Sequence, residues 1–427
     1  MSAFAKAFAS RSRTRKAGLV GIALVGASAL VLSGCAAADE GDEPSGDTGA
    51  RDLSLHIGTA LPQTGNLAFL GPPENAGVAY AVSMVNEADL GVTLEVTVGD
   101  SGDTDNKAYE TEIPRLLGED VAAIIGAASS GTSLQFIDQV VGEGVIMFSP
   151  ANTSDAFTSY EDNNLYFRTA PSDVLQGEVL GNLIAEDGHQ TLGMIVLNDS
   201  YGTGLAKYTQ EAFEAAGGEV VAQPMYNTGD TSFDSQISEV LAADPDAIAL
   251  ITFEEVKTML PNLIGSFPAE NLYFVDGNLT QFGDQLPAGA LEGAKGTYPG
   301  LNVEDLGSFT TDLEAFWTGE GNPSLNNEYT YAAESFDAVI LLALAALAAN
   351  STESADIAGK LQEVSGGSGD GETCTTYEQC AQIILDGGVA DYDGLSGPIT
   401  FDEVGDPTEA SIGIYQFGPD NNYTAAE

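Results

Sequence analysis

The stretch V-A-A-I-I-G-A-A-S-S-G-T-S-L-Q-F-I-D-Q-V-V-G-E-G-V-I-M-F-S-P-A-N-T, Val121–Thr153, decides the fold. Val121–Gly126 is a short apolar run closed by glycine, the pattern of a strand buried in a parallel sheet. Ser129, Ser130, Gly131, Thr132 and Ser133 follow where a helix should begin. Leu134, Phe136, Ile137, Val140 and Val141 then recur at helical spacing. Val145–Phe148 is a second buried strand, closed by Ser149-Pro150-Ala151-Asn152-Thr153. In an open α/β sheet both turns lie side by side at the carboxyl ends of strands, where such sheets bind ligands. Free amides at a helix start, flanked by hydroxyls, seat a carboxylate without Arg or Lys. The same serines could act only as helix caps, and the turn by itself leaves both readings open.

Composition narrows the function classes. The chain has 427 residues, long enough for two domains once a leader and tether are set aside. Its formal charge of −51, from 64 acidic and 13 basic residues, excludes nucleic-acid binding, which needs basic patches to neutralise phosphates. An anionic membrane surface is disfavoured for the same reason. The acids are spread along the chain, as on a well-solvated surface.

Working outward to the N-terminus, Met1–Lys16 carries five basic residues and no acid, and Ala17–Leu32 is apolar. Leu32-Ser33-Gly34-Cys35 follows. A basic region, an apolar core and small residues make a secretory signal over residues 1–34. The core is shorter than the ~20 residues of a spanning helix, which argues against an uncleaved anchor. Residues 35–52 are acidic and lack large apolar side chains, the composition of a flexible tether. Cys374 and Cys380 remain as a pair in a Gly-rich region, and in an exported chain they read as a local disulfide. Two thiols without a nearby His make a poor metal site.

Order begins with strand Leu53–Ala60 and helix Glu74–Glu87, then strand Thr93–Gly99. Asp100-Ser-Gly-Asp-Thr-Asp lacks the spacing and terminal Glu of a calcium loop, so Asp105 is read as a helix N-cap. From Asp173 onward helices and apolar runs alternate again, through Leu192–Leu197, Glu219–Pro224, Ala247–Ile251 and Leu272–Val275. Repeated units of this kind imply parallel strands with right-handed crossovers. The apolar run Thr330–Asn350 is interrupted by Glu334 and Asp337, which favours a buried core helix over a membrane span. Ser396–Asp406 and Ala410–Phe417 read as a closing pair of strands.

Taken in order, L-S-G-C, L-P-Q-T-G-N-L-A-F-L-G, S-S-G-T-S, S-P-A-N-T, N-D-S-Y-G-T-G and S-G-P-I-T-F-D-E-V-G-D make a set. The chain resembles the type I periplasmic-binding proteins, and within them the leucine/isoleucine/valine-binding components of ABC importers. The resemblance covers Leu53–Phe417. It implies two doubly wound α/β lobes joined by three crossovers, near 168–169, 297–298 and 396–397. Lobe one would comprise 53–168 with 298–395, and lobe two 169–297 with 396–427.

Leu-Ser-Gly-Cys resembles the bacterial lipobox, which implies a lipid on Cys35 and anchoring outside the cytoplasmic membrane. The resemblance also implies a ligand held between the lobes. Ser130 and Thr153 would take its α-carboxylate, with the Gly131 amide as a further donor. The Ala151 carbonyl and Asp276 would accept from its ammonium, Asp276 standing where many relatives have Glu. Tyr201, Phe253 and Leu70 would form the apolar slot, Leu70 standing where some relatives have Trp. Each has a plainer reading: a turn for Asp276-Gly277, and core packing for Tyr201, Phe253 and Leu70.

Three functions were weighed on this footing. The first is capture of a small branched-chain or related amino acid by a monomer serving an ABC permease, with amides, urea or small organic acids as alternative guests. The second is a sensor reporting to a separate signalling chain. The third is an enzyme, against which stand only two histidines and no nucleophile elbow, dinucleotide fingerprint or zinc motif. No cofactor is implied.

Overall fold

The computed structural model of the chain describes residues 51–426. The leader, Cys35 and nearly all of the tether lie outside the described residues.

The chain first lays down β1 (Leu53–Leu61), α1 (Gly71–Ala88), β2 (Val92–Asp100), α2 (Tyr109–Leu117), β3 (Ala123–Gly126), α3 (Ser130–Gly142), β4 (Ile146–Ser149) and β5 (Tyr166–Arg168). These strands form one sheet in the order β2-β1-β3-β4-β5, every pair parallel. Apolar runs such as Ala123–Gly126 and Ile146–Ser149 are wholly buried, as a sheet covered by helices on both faces requires.

A second series follows: α4 (Asp173–Glu186), β6 (Thr191–Leu197), α5 (Ser200–Ala215), β7 (Glu219–Ala222), β8 (Met225–Tyr226), α6 (Asp234–Ala242), β9 (Ala247–Ile251), α7 (Val256–Leu263), β10 (Leu272–Phe274) and β11 (Lys295–Pro299). The chain then returns to the first body with α8 (Phe309–Gly319), α9 (Ala332–Ala349), α10 (Ser354–Val364), β12 (Glu372–Cys374), α11 (Tyr377–Leu385), β13 (Ala390–Gly394) and β14 (Gly397–Pro398). It ends with β15 (Ile412–Phe417) and β16 (Tyr423–Ala425) in the second sheet, whose order is β16-β15-β11-β10-β9-β6-β7, with β8 also beside β6. Strands β6 to β11 run parallel, and β15 and β16 close the edge in antiparallel fashion. Strands β12, β13 and β14 make a small third sheet packed on the first core, and the two large sheets each have their own hydrophobic core, so the fold is two α/β bodies.

Helix α9, the most apolar stretch, is buried along nearly its whole length and packs on α1 and α10, the behaviour of a core helix. Cys374 is bonded to Cys380 across the start of α11.

Three local expectations are corrected. Helix α2 starts at Tyr109 behind Ala108, with no side-chain cap. Asp105 instead lies in a turn organised by Asp103 Oδ1, which accepts from the Asp105 and Asn106 amides. The two closing segments do not pair with each other: Gly397–Pro398 pairs with β13, and β15 pairs with β11 and β16. The last passage between bodies comes later than 396–397, because Ile399 and Phe401 are buried in the first core and the chain joins the second sheet only at Ile412. Alternating polarity marks a strand but not its partner, which is why these segments misled.

Candidate functional site

In the first sheet the strand order reverses at β1, beside β3, and in the second at β6, beside β9. Crevices at such switch points lie beyond the carboxyl ends of the parallel strands. The loops after β1, β3 and β4 face those after β6, β9 and β10 across one narrow cavity. Leu67, Leu70, Ala128, Ser129, Ser130 and Ala151 line it from the first body. Tyr201, Phe253, Asp276 and Gly277 line it from the second, and Tyr331, at the start of α9, completes the wall. Among the described residues, no Lys, Arg or His is on that wall.

The serine turn divides its work. Ser129 is the N-cap of α3, its Oγ accepting from the Thr132 amide at 3.2 Å. Ser130 is turned the other way, its Oγ accepting from the amides of Thr153 (3.3 Å) and Ser154 (3.2 Å). Capping and cavity lining are therefore both present, on neighbouring residues. The second turn is held by Ser149, whose Oγ donates to the Ala127 carbonyl at 2.7 Å, and by Asn152, whose amide nitrogen donates to the Ala127 and Ala128 carbonyls. Beneath it the wholly buried Arg168 donates to Asp406 (2.6 and 2.7 Å) and to the Ser154 carbonyl (2.8 Å).

Across the cavity Asp276 is buried. Its Oδ1 accepts from Tyr201 OH (2.8 Å) and Gln176 Nε2 (3.0 Å), and its Oδ2 from Tyr331 OH (2.7 Å). Burial raises the carboxyl pKa, and these three donors and the Gly277 amide pull it part of the way back. Asp173, buried behind it, is raised further by desolvation and then by the charge of Asp276. Tyr201 stacks on Phe253 with ring centroids 5.2 Å apart. Gly277 permits that stack, since a Cβ there would meet the Phe253 ring at 2.6 Å.

Six of the eight expected ligand residues (Ser130, Ala151, Tyr201, Phe253, Asp276 and Leu70) thus share one wall. Two do not lie on it. Gly131, one step round the helix, faces a different hollow with Asn198, Asp199 and Ser200. Thr153 is buried behind Ser130 and reaches it through its amide. Tyr331, Gln176 and Leu67 were not anticipated. Tyr331 has φ 59°, left-handed backbone that is costly for an aromatic residue and that clusters at functional positions.

The bodies touch around the cavity. Leu67, Leu70, Ala128 and Ala151 pack with the second core. Asn66 Nδ2 donates to Glu255 Oε1 (2.9 Å), Ser154 Oγ to the Ser200 carbonyl (3.2 Å), and Tyr208 OH to Asp155 Oδ2 (2.5 Å). This is a closed cleft.

Comparison with known proteins agrees with this geometry. Residues 54–380 match the family model described as "Periplasmic binding protein". The leucine-, isoleucine-, valine-, threonine-, and alanine-binding protein of Pseudomonas aeruginosa is 30% identical over 193 residues, 44% of this chain and 51% of that protein. That match spans about half of the relative's length. The chemotactic signal transduction system substrate-binding protein BasB of Halobacterium salinarum is 22% identical over 80% of this chain and 82% of its own. Among solved structures, the leucine-binding protein LivK of Thermotoga maritima superposes with a TM-score of 0.69 at 20% identity, covering 87% of this chain and 98% of that one. The chain belongs to the periplasmic binding protein family, with Leu/Ile/Val-binding proteins among its relatives and their type I fold.

Proposed function

We propose that the chain is the extracytoplasmic solute-binding component of an ABC importer and captures a small, branched-chain or related amino acid between its two lobes. One observation carries this reading: Ser130 and Asp276, from different bodies, line the same cavity, whose other walls are largely apolar and, among the described residues, carry no basic side chain. A zwitterion needs donors at one end and an acceptor at the other. Ser130 and the amides of its turn supply the donors for an α-carboxylate, with Thr153 behind holding the Ser130 hydroxyl in place through its amide. Asp276 and the Ala151 carbonyl receive the ammonium, and two buried acids without a basic neighbour on the wall disfavour a purely anionic guest. Leu67, Leu70 and the face of Phe253 offer the guest's side chain an apolar surface. The lobes close by hinge motion and no bond is made or broken.

Lobe one is assigned 53–168 and 300–401, and lobe two 169–299, whose last strand β11 holds Tyr298 in the second core, with 412–426. The lipobox supports anchoring through Cys35, with a monomer delivering its guest to a membrane permease. A sensor reading is favoured by one specific observation, the relative named for chemotactic signal transduction. A thermal-shift screen of amino acids, amides and organic acids tests the guest class, since a guest must raise the melting point of the state it prefers. Stabilisation by an aliphatic amino acid supports the proposal; stabilisation only by anions such as benzoate, or by nothing in the screen, defeats it.

A further inference from the structure

Asn66 stands in the loop after β1, just ahead of Leu67 and Leu70, both of which line the cleft. Its backbone belongs to the first body, where its amide donates to Asp103 Oδ2 at 3.0 Å. Gly65, at φ 95°, lets the loop lie this close, since a Cβ there would meet that same oxygen at 2.6 Å. The rest of Asn66 is turned toward the second body. Its Nδ2 donates to Glu255 Oε1 at 2.9 Å, and its carbonyl accepts from the Glu254 amide at 3.3 Å. Further along the same loop, the Phe69 ring lies 6.0 Å from the Lys257 ammonium.

Glu255 is prepared for this contact. It occupies the N-cap position of α7 without capping that helix through its side chain. Its Oε2 instead accepts from the Phe253 amide (3.1 Å) and from Tyr226 OH (3.2 Å), which leaves Oε1 presented to Asn66. Phe253 lines the cleft from this loop, so one hydrogen bond ties the loop bearing Leu67 and Leu70 to the loop bearing Phe253. Those three residues are the apolar surface offered to a guest.

We propose that Asn66 and Glu255 form a closure latch, with Asn66 a positioning residue that brings the two halves of the apolar surface together without touching the guest. The inference rests on reading the chain as a two-lobed solute-binding protein. A hydrogen bond to a charged acceptor is among the stronger kinds, and one made across the lobes counts entirely toward closure. Apparent affinity follows the fraction of molecules able to close. The contact is also directional: Asn66 supplies the donor and Glu255 only acceptors. Asn66→Asp therefore leaves two carboxylates facing each other across the seam. Adding Glu255→Gln restores the bond in reverse, because the glutamine nitrogen donates across the seam while its oxygen keeps the Phe253 amide and Tyr226 OH.

The test uses the full chain spin-labelled through Glu143→Cys and Glu211→Cys, exposed positions on the first and second bodies. Pulsed dipolar spectroscopy gives the ratio of closed to open molecules without guest and with excess leucine, and calorimetry gives the leucine Kd. Expected for Asn66→Asp is a fall of at least ~10-fold in both closure and affinity, with Asn66→Asp/Glu255→Gln back within about 3-fold of the parent. Asn66→Ala should lie between, and carries the comparison if Asn66→Asp fails to fold. A folded Asn66→Asp or Asn66→Ala that closes as readily as the parent, or a double variant no better than Asn66→Asp, overturns the proposal. So does a parent with no closed population in either condition. A parent that gives no heat with leucine, yet shows the same loss and recovery of closure without guest, supports the latch and refutes the guest assignment alone.

Discussion

Asp276 holds three donors, from Tyr201, Gln176 and Tyr331, before any guest arrives. Asp276 also lines the cavity, where its charge can meet a guest ammonium. Asp276→Asn keeps the shape and removes the charge, so it should weaken amino-acid binding by about 100-fold or more, the 3 kcal/mol end of the cost of breaking a buried ion pair. Calorimetry on a variant with native circular dichroism checks this. Tyr331→Phe removes one donor, and binding should fall by about 10-fold, at ~1–2 kcal/mol per lost charge-assisted bond; an unchanged Kd would show that Tyr331 only packs. Tyr201 and Leu70 could be singled out because each stands in a motif, and Phe253 and Asp276 because each lies two residues past a strand end. Tyr331 and Gln176 were not, because they reach Asp276 from 55 and 100 residues away in sequence. Gly131 was placed one helix step too generously: its Cβ position points at Asp199, 2.7 Å away, rather than at the cavity.

At the scale of elements, the buried βα turns were readable because period and glycine placement fix where a parallel strand ends. Pairing at the C-terminal end was not, since β14 is only two residues long and its partner is chosen by the packing of Ile399 and Phe401. That same segment carries Asp406 to Arg168, pinning the third connection beneath the Ser149–Ser154 turn. Asp406→Asn leaves a buried guanidinium without its charge partner, held only by neutral acceptors such as the Asn152 and Ser154 carbonyls and the Thr158 hydroxyl. It should destabilise the chain by about 3–5 kcal/mol in urea unfolding and weaken guest binding through the displaced turn. A loss below ~1 kcal/mol would mean the pair behaves like a surface bridge. The Cys374–Cys380 bond closes a short loop, so removing both cysteines should cost only about 2 kcal/mol and leave affinity unchanged.

Over the whole molecule, the two bodies bury several carboxyls at their junction. Glu74 and Glu334 are both raised, Glu74 by burial and then by Glu334, and Glu334 to about 8 by burial and then by Asp337. A carboxyl whose folded pKa lies above its unfolded value contributes stability that is complete below the unfolded pKa and is lost as pH rises through the folded one. The guest-free chain should therefore melt at progressively lower temperature between about pH 4.5 and pH 8, and Glu334→Gln should flatten that slope in differential scanning calorimetry. A melting temperature that climbs across this window would contradict the burial of these acids in the working fold.

The central claim is that a serine turn from one body and an acid from the other hold opposite ends of one zwitterionic guest. Its most direct measurement is a calorimetric titration of the wild type, Ser130→Ala and Asp276→Asn with leucine, isoleucine, valine and their decarboxylated and deaminated analogues. The account predicts that the wild type binds at least one intact amino acid at micromolar Kd or tighter and rejects both analogues. It further predicts that Asp276→Asn loses the most discrimination against the deaminated analogue, and Ser130→Ala against the decarboxylated one. Equal binding of an amino acid and its deaminated acid by the wild type, or full affinity in Asp276→Asn, would contradict it.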